Sequence, residues 1–218
     1  MSERTALLAG VDGCRGGWVV ATIDGGFVSR SFAAIATTFC ELSAIDMPIG
    51  LPDAWGRAAD TEARAVLGRR GMCIFPTPPR ALLAFESYAE ANAESKSRFG
   101  RGLTAQTFNL FAKLREVDAI VDSSNQHRFV EAHPECSFVA LTGHVLPPKR
   151  TSAGRAARRD ALEPVFGPID LHIPGSQPDD VLDAYVLLWT AQRHQRGESH
   201  IFGGRDLDSR GLVMKIVS

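Results

Sequence analysis

The sequence predicts an α/β fold built on a mixed five-stranded sheet in the order 3-2-1-4-5, flanked by helices. Three observations carry this. The chain opens with three short runs of β-branched and aromatic residues separated by glycine-rich turns, the signature of an antiparallel meander. A fourth and a fifth run of strand character then alternate with helical stretches, which sets strand four parallel to strand one in the same sheet. Between runs four and five lies a long stretch of helical periodicity, read as a helical insertion after strand four.

Taken in order, residues 7–11 are apolar and end in Asp12, and residues 17–23 form a second run, with Gly13, Gly16 and Gly17 between them. Asp24, Gly25 and Gly26 make a hairpin turn into a third strand over 27–32. The small apolar segment 33–40 reads as a short helix or loop crossing the sheet. Strand four, 42–47, carries Asp46 near its end, and Pro48 and Pro52 keep a helix from starting at once. A helix over 53–67 buries Ala58, Ala63, Val66 and Leu67 and stops at Gly68. An extended proline-bearing loop at 72–80 precedes helices over 81–99 and 104–122, the second with Phe108, Phe111, Leu114 and Val121 as a core stripe. Strand five follows at 127–132, then a short helix at 134–141 with Pro134 in its first position. Thr151 or Ser152 caps a further helix, and 169–174 is a short extended piece. The last helix covers 178–196, and 211–217 adds an edge strand. No repeat or linker marks a boundary, so the reading is one domain over 1–218.

Composition narrows the function. A hydrophobic content of 44% over 218 residues supports a sizeable core, and a net charge of −1 excludes a generally basic protein. Nucleic-acid contact must then rest on a local patch. Cys14, Cys40, Cys73 and Cys136 lie far apart without a C-x-x-C pair, which suggests neither a disulfide framework nor a zinc ribbon. Arg4 precedes an apolar run too brief for a secretory signal, and no stretch approaches the ~20 apolar residues of a membrane span. The expectation is a soluble cytoplasmic protein without a membrane partner. Trp18, Trp55 and Trp189 suit a core or an interface equally, so a homodimer stays open.

The chemistry is carried by acids. A carboxylate at the end of a buried strand is costly unless it is paired, hydrogen-bonded or facing a cation, so Asp12 calls for one of these, although capping the turn is its ordinary explanation. With strands one and four adjacent, about 4.8 Å apart, Asp12 and Asp46 point into the crevice where ligands of open α/β sheets gather. Asp180 and Asp183, at i and i+3, share a face of the last helix, which docked over the crevice would bring acids to acids. Asp179, Asp180 and Asp183 equally suit a helix N-terminus by complementing its dipole. Glu131 on strand five is a further ligand candidate or a surface residue. Clustered oxygens without nitrogen or sulfur select hard ions, Mg²⁺ or Mn²⁺. Lys149, Arg150, Arg155, Arg158 and Arg159 form a compact basic group, either a substrate-phosphate site or a solvated helix face.

VDGCRGGW at 11–18, IDMPIGLP at 45–52, the ARxxLGxR pattern at 63–70 continuing to FPTPPR, VEAHPE at 130–135, and DDxxDA at 179–184 with WTAQR beyond resemble the bacterial domain of unknown function 429 family. That family is described as predicted ribonuclease H-like nucleases, and the resemblance runs in order over nearly the whole chain. It implies a ribonuclease H-like sheet. In that pattern Asp12 matches the metal-ligand acid of the first strand, Asp46 the acid of the fourth, and Asp180 with Asp183 the paired acids of the last helix. Glu131 and Glu135 have no counterpart there and stand as additional candidates.

The function expected is that of a hydrolase: a metal-dependent nuclease in which two ions held by the four aspartates activate water and stabilise the leaving oxygen. An actin-like ATP-dependent phosphotransferase shares a related sheet and an Asp-x-Gly turn, but it duplicates the fold, and the second half of this chain repeats nothing of residues 11–17. A non-catalytic module binding nucleic acid or a phosphate ligand on the same fold is the other alternative. No G-x-S-x-G or comparable signature supports a serine or cysteine nucleophile.

Overall fold

In the computed structural model the structure describes residues 8–38 and 41–218. Arg4 and Leu7 at the amino end and Cys40 in the crossover lie outside the described residues. The five-stranded sheet has the order expected: β1 (Leu8–Cys14) is central, β2 (Gly17–Thr22) and β3 (Gly25–Ser29) run antiparallel on one side, and β4 (Leu42–Ile45) and β5 (Phe129–Glu131) run parallel on the other. The chain gathers into two compact units, one of residues 1–47, 127–200 and 217–218 and one of residues 48–126 and 201–216.

The first unit holds the sheet. Its central strands are buried on both faces, as strands covered by helices must be. On one face the short helix α1 (Phe32–Thr38) sets the Phe32 ring 5.5 Å from Trp18 and 5.6 Å from Phe129. Trp18 is fully buried there, which settles it as a core residue. The other face carries α6 (Pro134–Thr142), α7 (Ser152–Phe166) and α8 (Pro178–Gln195), with α8 lying across β1, β2 and β4. Val181, Ala184, Leu187, Leu188 and Ala191 of α8 are fully or almost fully buried against Val19, Ala21, Ala44 and Val130 of the strands.

The second unit contains the insertion. It comprises α2 (Ala58–Leu67), 3-10 turns at Gly68–Cys73 and Arg80–Ala84, then α3 (Tyr88–Phe99), α4 (Ala105–Asn109) and α5 (Phe111–Ile120). It also holds β6 (Ile201–Leu207) and most of β7 (Val213–Val217), paired as a separate two-stranded sheet. The expected strand at 211–217 therefore exists, but it pairs with β6, whose Gly203 and Gly204 in left-handed conformation conceal its strand character in the sequence. The expected extended piece at 169–174 forms no regular element. Two ion pairs, the first buried and the second partly buried, hold the insertion: Arg57 binds Asp60 and the Gly50 carbonyl, and Asp208 accepts from Arg80 and from the Leu51 amide. Among the described residues no helix is long and apolar enough to cross a membrane.

Candidate functional site

The site is built on the register of two strands. Val11 pairs with Ile45, and the Asp46 amide donates to the Val11 carbonyl at 2.9 Å, so Asp46 stands beside Asp12. Paired residues of neighbouring strands project from the same face, and alternate residues share a face. Gly10 faces α8, since a Cβ there would meet the Ala184 carbonyl oxygen, and Asp12 two residues on faces the same way. Asp183, in the second turn of α8, comes down onto that face with only 1% of its side chain exposed.

These acids act on one another. Burial, and then the charges of Asp46 and Asp183, push the Asp12 carboxyl well above its ordinary value, with Lys149 pulling it back in part. Burial pushes Asp183 up to about 6, against the opposing pull of Lys149, with the charge of Asp46 adding to the rise. Burial alone would lower Lys149, but the carboxylates of Asp183, Asp12 and Asp46 outweigh it and hold the ammonium above its usual range. Lys149 Nζ lies 2.5 Å from Asp183 Oδ2, while Asp183 Oδ1 is buried without a hydrogen-bond partner.

Lys149 reaches the acids because its loop is clamped. The Thr151 hydroxyl caps α7 by accepting from the Gly154 amide at 3.0 Å, and the Thr151 amide donates to the Pro148 carbonyl. Arg158 donates through Nη1 to the Pro147 and Gly154 carbonyls and through Nη2 to Glu135 Oε1 at 2.5 Å. Arg158 is fully buried, so it is no phosphate contact: it ties the first turn of α6 to the loop that presents Lys149. Gly154, Arg158 and Leu162 recur every four residues on the buried side of α7, so the helical spacing itself marks Arg158 as an inward position.

A model of the family described as protein of unknown function DUF429 matches residues 10–207. The chain belongs to the DUF429 family. No curated protein and no solved structure matches it. The matched span includes every acid and base of the site.

The remaining candidates of this DUF429 chain fall elsewhere. Glu131 pairs in register with Ile45, which puts its side chain on the sheet face opposite Asp12 and Asp46, so it is not one of their co-ligands. Asp180 caps α8, its Oδ2 accepting from the Gln177 amide at 2.9 Å, and its charge adds to the rise of Asp12. Asp179 faces Arg155 at 3.9 Å. Arg159 is half exposed and lies beside Asp160 and Glu163, and Arg150 is exposed. The basic group thus divides: Lys149 and Arg158 turn inward, while Arg150, Arg155 and Arg159 stay at the surface. A separate cleft of about 420 Å³ between Glu41, His127 and His194 holds none of these acids.

Among the described residues no three His, Cys, Asp or Glu side chains are grouped to hold a metal ion. Mg²⁺, however, is commonly held by one or two carboxylates with waters and phosphate oxygens completing its shell. The donors here are chemically compatible with that use: they are all oxygens, and Asp183 Oδ1, near the repelled Asp12 carboxyl, is a buried acceptor without a hydrogen-bond partner. One or two of Asp12, Asp46 and Asp183 are the residues that would hold the ion, with waters and phosphate oxygens as its other ligands.

Proposed function

We propose that the chain is a hydrolase, a Mg²⁺- or Mn²⁺-dependent nuclease that cleaves nucleic-acid phosphodiesters at Asp12, Asp46 and Asp183. The observation that carries this is the convergence of acids from two adjacent strands and one helix on a single sheet face, with a buried carboxylate oxygen left unpartnered. A divalent ion, when bound, supplies Lewis acidity and lowers the pKa of a coordinated water. The chain's own part is to bring the acids to one sheet face, with Lys149 drawing Asp183 toward its ionised form. Arg150, Arg155 and Arg159 offer surface cations for the phosphates of DNA or RNA. The reading places the protein in the cytoplasm, acting on nucleic acid rather than a membrane, and leaves room for a homodimer.

A second reading, a non-catalytic module that binds nucleic acid or a phosphate ligand, is favoured by the lack of a three-ligand group among the described residues. Linear, branched, single-stranded and RNA substrates assayed with each metal separate the two. The nuclease predicts cleavage that needs the metal and vanishes in Asp12→Asn, which also controls for contaminants. Cleavage that persists in that variant, or none on any substrate, leaves the binding module.

A further inference from the structure

The two oxygens of Asp183 are in different states. Oδ2 accepts from Lys149 Nζ at 2.5 Å, and Oδ1 is buried with no hydrogen-bond partner. In a two-ion site a shared carboxylate gives one oxygen to each ion. We infer that the Lys149 ammonium fills one of two cation positions at Asp183, so that the site takes a single divalent ion, on the side of Oδ1. The inference rests on the acids being a divalent-ion site, and replaces the pair of ions expected from the sequence with one ion and a tethered cation.

Charge supports it. With an ion bound and the carboxyls ionised, Asp12, Asp46 and Asp183 carry three formal negative charges, and Lys149 on Asp183 returns one positive charge. One divalent ion cancels the remainder, whereas two would leave a buried excess of positive charge, which is as costly as the excess of acid. Architecture supports it as well. A surface lysine gives up considerable rotamer entropy when held in one place. This one is carried by a loop whose Pro147 and Pro148 carbonyls accept from Arg158 and Thr151, and a Cβ at Gly154 would lie 2.0 Å from the Pro148 oxygen. The packing that brings this loop against α7 leaves no room for a side chain at residue 154. The backbone that carries Lys149 is therefore fixed, and its ammonium is tethered beside Asp183, unlike an exchangeable ion.

The test is a count of Mn²⁺ ions on the full chain by calorimetry, with electron paramagnetic resonance to distinguish an isolated ion from a coupled pair. Wild type should bind one Mn²⁺ with the spectrum of an isolated ion. Lys149→Met and Lys149→Gln, checked for folding by thermal unfolding, should each bind two ions with a coupled spectrum. Two ions on wild type, or one on the folded variants, overturns the inference; should neither variant fold, the wild-type count decides. Binding that is Asp12-dependent but of two ions removes this inference and leaves the carboxylate site standing. No binding to wild type or to either variant removes both.

Discussion

A Cβ added to Gly10 would lie 2.0 Å from the carbonyl oxygen of Ala184. The two backbones touch there, so the glycine sets the height of α8 above β1 and with it the approach of Asp183, the residue before Ala184, to Asp12. Backbone cannot rotate aside as a side chain can. Gly10→Ala should cost about 3 kcal/mol or more, the upper end for an overpacked core. Chemical denaturation measures it, and a loss under ~1 kcal/mol would mean that α8 shifts without penalty.

Replacing Asp12 by Asn removes a buried charge that its neighbours oppose. The metal-free variant should be more stable than wild type at pH 7, because the crowding of buried acids is relieved, while divalent-ion binding disappears. Unfolding curves with chelator present and calorimetry with Mn²⁺ report the two effects separately. Unchanged Mn²⁺ affinity would remove Asp12 from the site.

The same acids give the metal-free chain an unusual pH dependence. Asp183 titrates at about 6 when folded, above its value in the unfolded chain, so its folded form binds the extra proton. Its contribution to stability is complete below the unfolded pKa and is lost as pH rises through about 6. Asp12 acts in the same direction. Asp122, Glu198 and Asp208 are held below their ordinary range and lose their stabilisation only as pH falls below about 4.5. From pH 7 to 5 the stability with chelator should therefore rise, by about 1 kcal/mol from Asp183 alone. A fall over that interval would contradict the coupling among the acids.

The basic group should divide under mutation. Arg158→Ala leaves Glu135 buried without its cation and releases the Pro147 carbonyl, which should cost about 3–5 kcal/mol. Joint replacement of Arg155 and Arg159 by Ala should leave stability within ~1 kcal/mol but flatten the salt dependence of nucleic-acid binding. Binding that is equally tight and equally salt-dependent in the double variant would make these arginines a solvated face.

The sheet was legible in the sequence because each of its signals is local. Glycine turns mark the meander, and the change from period two to helical spacing marks the parallel strands. Boundaries moved where a tertiary contact outranked the pattern. The helix expected from residue 53 begins at Ala58, its N-cap Arg57 being held by Asp60 and the Gly50 carbonyl. The helix expected over 81–99 yields to a 3-10 turn and restarts after Ser87, whose hydroxyl accepts from the Glu90 amide. The pairing of Asp12 with Asp46 followed from strand order. The face of Glu131 did not, because a strand of three residues shows no alternation to read. Nor did the contact of Lys149 with Asp183, 34 residues apart, which depends on how a loop folds back between two helices.

The most direct measurement is anomalous scattering from a crystal soaked in Mn²⁺. The account predicts one peak beside Asp183 Oδ1, within coordination distance of the Asp12 carboxylate, with Lys149 still on Asp183 Oδ2. No peak at these acids at saturating Mn²⁺, or a peak only elsewhere on the chain, would contradict it.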